Sequence, residues 1–231
     1  WQLAWHQYRQ RLDLLHVQYR LPLLTWGPCA CTIHDVLFET HPEYFPEGFV
    51  RMSRATSRHA TRRAAPLFTV SEYSRATMSR IYGIPEARIT VTGNAVDTRR
   101  FHPGTSGGER VRALGLEPGE YLLTVGRLEP RKNHQVLIDA YAGLDEPRPP
   151  LVIVGQRDFG FETLFEQVRA RGLDGEVRFL ERVEDADLPA LLRHARLFVY
   201  PTWAEGFGMP VLEAMASGVP TIASSATSLP E

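Results

Sequence analysis

No apolar run in this chain of 231 residues approaches the length needed to span a bilayer, and no basic–apolar–small leader pattern follows Trp1. Charge of one sign is lacking too. The 26 Lys and Arg residues are matched by 27 Asp and Glu, a formal net charge of −1, so bulk binding to nucleic acid is not expected. Cysteine is scarce: Cys29 and Cys31 sit two apart on a strand-like run, where alternating side chains share a face. With His34 nearby they read as half of a metal site. No second ligand pair follows, and reduced, buried thiols are the plainer reading. Also missing is a Gly-x-Gly-x-x-Gly between strand and helix, which sets aside a dinucleotide-dependent oxidoreductase. A soluble, cytoplasmic protein is the expectation, long enough for one large domain or two smaller ones with real cores.

What the chain does have is rhythm. In the first half "LDLLHVQY" (Leu12–Tyr19), "CACTIH" (Cys29–His34), "PLFTV" (Pro66–Val70) and "RITV" (Arg88–Val91) read as strands. Phe49–Ala64 reads as a helix, and Ser71 caps another that runs to Tyr82 and stops at Gly83 and Pro85. A polar, glycine-rich stretch, His102–Arg110, reads as an inter-domain linker. The second half alternates five β-rich runs with helical segments. The runs are Tyr121–Gly126, Pro150–Gly155, Val177–Leu180, Leu197–Pro201 and Pro220–Ser224; the helices are Asn133–Leu144, Glu162–Arg171, Asp185–His194 and Met209–Ser217. Near-continuous apolar strands alternating with helices predict parallel sheets covered on both faces, an α/β fold. Two such units imply a cleft, with ligands beyond the carboxyl ends of the strands. The first half holds too few strands for a complete doubly wound sheet, and nothing after Glu231 closes the second. A fragment, or the ordered part of something longer, is the expectation.

Two stretches at strand ends carry chemistry. In "VGRLEPRKNHQ" (Val125–Gln135), Arg127 follows the strand and Lys132 precedes Asn133, a residue suited to cap the next helix. A rigid fork of donors, a compact point charge and a helix N-terminus together suit a phosphate or diphosphate, although two solvated cations on a loop would look the same. In "EGFGMPVLEAMASGVP" (Glu205–Pro220), Gly206 and Gly208 allow close backbone approach, and Pro210 fits the first helical turn. Glu213 reads as gaining from the helix dipole. Glu205 precedes the turn and has no such role. A polyhydroxylated ligand would explain both carboxylates, because each accepts two vicinal hydroxyl donors.

The Glu205–Glu213 pair, separated by seven residues within "EGFGMPVLEAMASGVPTIAS", together with "VGRLEPRKN" upstream, resembles a retaining, nucleotide-sugar-dependent glycosyltransferase of family 4, group 1, mannosyltransferase-like. "TIHDVLFETHPEYF" (Thr32–Phe45), "TVSEYSRATM" (Thr69–Met78) and "VTGNAVDTRRFHP" (Val91–Pro103) are similar to family segments in the same order. The resemblance implies the GT-B fold, two Rossmann-like parallel-sheet domains facing across a cleft. Residues 1–103 would be a partial acceptor-side domain, and residues 104–231 a donor-binding domain lacking its C-terminal end. It further implies that Gly126, Arg127 and Lys132 meet the donor diphosphate and neutralise the charge of the leaving group. Glu205 would contact the donor sugar, with Gly206 and the backbone N–H groups of Phe207, Gly208 and Met209 holding sugar or phosphate. Glu213 would accept the ribose hydroxyls, and the base would lie near Arg182 and Val183. His34 would reach the transferred sugar; a lone histidine at a strand end also reads as structural. No metal and no cofactor are implied beyond a substrate nucleotide-sugar, GDP-mannose or UDP-glucose in type.

The family's opening strand and glycine-rich loop have no counterpart here, and "GNAVD" (Gly93–Asp97) has alanine where glycine is common. The implied reaction is transfer of a hexose to a glycan, lipid-linked or small-molecule acceptor. The alternative is a non-catalytic nucleotide-sugar-binding fragment or scaffold. Arg51, Arg54, Arg58 and Arg62 line one helical face. They read as a solvated stripe or as peripheral contact with an anionic membrane surface, which would be its inner face.

Overall fold

Each half of the chain builds its own parallel sheet. The computed structural model describes residues 2–158 and 160–231. They divide into two units. The first runs to Asn94 and takes in Ala204–Phe207 and Thr227–Glu231; the second comprises Ala95–Trp203 and Gly208–Ala226.

In the first unit β1 (Leu15–Gln18), β2 (Cys29–Thr32), β3 (Leu67–Thr69) and β4 (Ile89–Val91) pair in sequence order, all parallel. Cys29, Ala30 and Cys31 are all buried, so β2 is covered on both faces and alternation does not decide which side chains face inward. The cysteines are free thiols, and burial, then the neighbouring Cys29, pushes the Cys31 thiol up to about 11. Helix α3 (Glu47–Arg63) turns Val50, Ser53, Ser57, Ala60 and Thr61 inward. Arg51, Arg54, Arg58 and Arg62 lie exposed on it, with Arg54 Nε on Glu39 at 2.8 Å. Helix α4 (Glu72–Tyr82) starts where expected: Ser71 Oγ accepts the Ser74 N–H at 3.1 Å, and Gly83 ends it in the left-handed conformation.

The run read as a strand from Leu12 yields only four strand residues. Arg11 and Tyr19 take positive φ, 48° and 59°, and bound it on both sides. Helices α1 (Gln2–Arg9) and α2 (Leu37–Thr40) were not expected. Both are short, and periodicity over two turns or fewer carries little signal.

The second unit holds β5 (Leu122–Val125), β6 (Leu151–Val154), β7 (Val177–Leu180), β8 (Leu197–Tyr200) and β9 (Thr221–Ala223), all parallel, in the order β7-β6-β5-β8-β9. Helices α6 (His134–Ala142), α7 (Glu162–Ala170), α8 (Leu188–Arg193) and α9 (Met209–Ala216) supply the crossovers. Leu128, Ile138, Leu151 and Ile153 are completely buried in its core. The stretch read as a linker is packed rather than open: Gly108–Ala113 form helix α5, and the Arg193 guanidinium donates to the carbonyls of His102 (2.8 Å) and Ser106 (2.9 Å). Among the described residues no helix is long and apolar enough to cross a membrane.

One close approach fixes the upper end of the β5–β6 pair. Gly126 N donates to Val154 O at 2.9 Å, and a β-carbon on Gly155 would lie 1.9 Å from the Gly126 carbonyl oxygen. No side-chain rotation relieves a clash with backbone. Gly155→Ala is therefore expected to cost about 3 kcal/mol of stability, read as a lowered urea midpoint.

Candidate functional site

The order β7-β6-β5-β8-β9 reverses at β5: the chain moves outward through β6 and β7, then returns to start β8 on the other side. In open α/β sheets such a reversal leaves a crevice beyond the carboxyl ends of the two flanking strands. Here those ends lead into the Gly126–Asn133 loop and the loop that begins at Pro201. Both were marked as chemistry-bearing by their residues.

Hydrogen bonds sew these loops together. Asn133 Nδ2 donates to Pro201 O (3.0 Å), and the Arg131 carbonyl accepts both Trp203 N–H (2.9 Å) and Thr202 Oγ1 (3.0 Å). Lys132 Nζ donates to the Tyr200 hydroxyl at 2.7 Å and lies 5.2 Å from the centre of that ring. Lys132 is only 8% exposed, its stem packed beside Gly126, and Tyr200 is fully buried. Arg127 is the opposite case. Its guanidinium stands in solvent and rests on Asp158 at 2.8 Å.

Asn133 does not cap α6 as expected. It takes φ 54°, makes no side-chain cap bond, and spends its amide on Pro201 instead. Glu213 also differs from expectation. It lies in the second turn of α9, past the reach of the helix dipole. Half-burial raises its carboxyl above the usual range, with the charge of Arg100 opposing. Gly208 begins α9 at φ 104°, a conformation closed to residues with a β-carbon. Among the described residues, no protein acceptor meets the N–H groups of Gly208 and Met209. Arg182 (exposed) and Val183 (half-buried) follow β7, in the same unit but two strands away from β5.

The remaining expected residues belong to the first unit. Glu205 is buried, its backbone clamped by Thr227 Oγ1, which accepts its N–H at 2.8 Å and donates to its carbonyl at 2.9 Å, and by Ser228 Oγ at 2.9 Å. Gly206 packs on Asp35, where a β-carbon would meet Asp35 Cβ at 2.7 Å. Phe207 is half-buried. His34 lies just past β2, its ring stacked on Tyr19 at 5.1 Å and its Nε2 3.3 Å from Gln18 Oε1.

Three side chains that the sequence did not single out bear on these groups. They are Tyr200 beneath Lys132, Asp158 beside Arg127, and His134. His134 Nε2 lies 3.2 Å from the Arg127 carbonyl, while its buried Nδ1 has no partner among the described residues. A tyrosine ending a strand and a histidine opening a helix are ordinary core residues by pattern, so only packing distinguishes them. Among the described residues no group of three or more His, Cys, Asp or Glu side chains is placed to hold a metal ion.

The comparisons with known proteins agree with one another. The family model for glycosyl transferases group 1 matches residues 109–231, and that for glycosyltransferase family 4 matches residues 1–100. The chain is 38% identical to the O-antigen chain mannosyltransferase B of Escherichia coli over 87% of its own length and 54% of the relative's. It is 36% identical to the mannosylfructose-phosphate synthase of Agrobacterium fabrum, over 61% of this chain and 33% of that one. The crystal structure of Anabaena HepE in complex with UDP-glucose superposes with a TM-score of 0.73 at 26% identity, covering 87% of this chain and 54% of that one. The two parallel sheets match GT-B glycosyltransferase structures. The chain spans about half the length of the O-antigen relative, and about a quarter of the serotype-specific mannosyltransferase of Escherichia coli that it also matches.

The buried histidine makes a pH prediction. Burial, aided by the charge of Lys132, lowers His134 from 6.5 to about 4 against the opposing bonds to the Arg127 and Gly126 backbone. The folded value lies below the unfolded one, so the native protein favours the neutral ring. That contribution is whole above about pH 6.5 and is lost as pH falls toward about 4, up to roughly 3 kcal/mol. Urea midpoints measured across that window should fall in the wild type, and His134→Leu should flatten this part of the curve.

Proposed function

The chain belongs to the group 1 glycosyl transferases, and from that premise we propose that it acts in a retaining transfer of a hexose, mannose or glucose, from a nucleoside-diphosphate sugar to a glycan, lipid-linked or small-molecule acceptor. The observation that carries the reading is the pairing of an exposed guanidinium and a buried ammonium on one loop at the sheet reversal. Arg127 offers a planar fork to phosphate oxygens, and Lys132 a fixed point charge. Two cations supply the counter-charge of a diphosphate without a metal. The N–H groups that open α9 add donors for an anion. The names of the relatives favour mannose, with GDP-mannose the first donor to test and UDP-glucose the next.

In this reading Glu213 takes the ribose hydroxyls and Glu205 the donor sugar. Phe207, Gly208 and Met209 hold the sugar or phosphate through their backbone, Gly206 lets the loop lie close, and His34 reaches the sugar. The base lies by Arg182 and Val183. With no protein nucleophile assigned to the sugar's far face, the leaving diphosphate guides the acceptor's proton. Stabilising its developing charge by Arg127 and Lys132 is then the chief catalytic contribution.

The assignments separate experimentally. Arg127→Ala should lower turnover on the order of a hundredfold, well beyond its effect on donor affinity. Glu213→Ala should weaken nucleoside-diphosphate binding in calorimetric titration. Glu205→Ala should leave that affinity nearly intact and reduce turnover; equal losses of affinity in both variants would contradict the division. Proton NMR of the product tests the mechanism itself, since an inverted anomeric centre would rule out retention. Donor affinity should also survive addition of a chelator.

A further inference from the structure

An ammonium held in a nearly closed site must have its direction set by something. Lys132 is 8% exposed, and its Nζ donates to Tyr200 Oη at 2.7 Å. We propose that Tyr200 is a positioning residue for the diphosphate-binding lysine: its hydroxyl accepts one ammonium N–H and so fixes the rotation of the group about its terminal bond. This rests on the reading of Lys132 as a donor-site cation.

Two features support it. The phenol is neutral, so it orients the ammonium without cancelling the charge that an anionic ligand meets, as a carboxylate in its place would. The hydroxyl is itself immobile. Tyr200 ends β8 with its side chain fully buried, and the residues on either side of Lys132 are tied to the segment after Tyr200. Asn133 holds Pro201 O, and the Arg131 carbonyl holds Thr202 Oγ1 and Trp203 N. Donor and acceptor therefore sit on two strands of backbone whose separation is fixed by other bonds. A ligand entering such a site finds the cation already aimed, and that preorganisation is what separates a binding lysine from a solvated one.

The test is a double-mutant cycle on the full chain, with GDP and UDP as probes and guanosine and uridine as controls, read by titration calorimetry. Tyr200→Phe keeps the ring and removes only the hydroxyl. It should weaken the better-bound diphosphate on the order of tenfold and leave the matching nucleoside unchanged, because the lost bond acts on phosphate alone. In the Lys132→Met background the same change should have no further effect. An equal loss in both backgrounds, or an equal loss for nucleoside and diphosphate, would show a merely structural tyrosine and overturn the proposal. Lys132→Met weakening GDP or UDP while Tyr200→Phe does nothing would overturn the positioning role and leave the donor-site reading standing. No effect of Lys132→Met, or no binding of either diphosphate by the wild type, would overturn the donor-site reading, and this proposal with it. Should Tyr200→Phe not fold, recovery of its melting transition by adding Lys132→Met would support the pairing, and failure to recover would refute it.

Discussion

The site in the second unit depends on one constraint: β5 has β6 on one side and β8 on the other. The crossover after β5 leaves to one side and the crossover that follows β8 leaves to the other, so the loops above these neighbouring strands diverge and open a crevice. A parallel sheet whose strands followed in simple order, like that of the first unit, gives no such divergence among its described strands. Residues far apart in sequence, Gly126–Asn133 and Tyr200–Trp203, are thereby brought within hydrogen-bonding range, and the bonds between them then hold them there.

The strands that build this sheet were legible in the sequence, though their order was not. Alternation of apolar runs with helical segments marked all five strands of the second unit within a residue or two, because the runs are short and rich in apolar residues, and β5, β6 and β8 end at glycine or proline. What pattern missed was local and physical. Asn133 is a good cap by type, yet a competing acceptor at Pro201 and a left-handed backbone claim it. The glycine-rich stretch His102–Arg110 looked like a tether because composition cannot register the Arg193 contacts to His102 and Ser106. Leu12 and Leu14 looked like strand residues, but positive φ at Arg11 and Tyr19 confines the strand, and both leucines are exposed.

The candidate site was legible in a different way. Arg127 and Glu205 are visible because charge beside glycine near a strand end is rarely needed for folding, and Lys132 and Glu213 by their fixed spacing from them. Their supports are not visible. Tyr200 ends a strand and His134 opens a helix, positions where either passes unnoticed, while Asp158 lies in a loop of ordinary polarity. The polar atoms that orient a site are often those whose sequence pattern is plainest, since their burial is what makes them effective.

The two cations also differ for a reason rooted in packing. A side chain at Gly126 would press the Lys132 stem, with Cδ at 3.3 Å, so glycine at one position makes room for the flexible four-carbon chain at the other. A guanidinium carries its charge over a rigid plane, wider than the ammonium whose stem packs beside Gly126. Arg127 has that width because it stands in solvent, where Asp158 holds it loosely: an exposed ion pair is worth little, and a ligand with more charge displaces it at small cost. One cation is therefore mobile and exchangeable, the other fixed and shielded. The loop between them, Leu128 to Arg131, is anchored at one end by a fully buried leucine and at the other by the bonds to Thr202 and Trp203. The order Arg–x4–Lys places the mobile charge where the strand ends and the fixed one where the loop turns back into the protein.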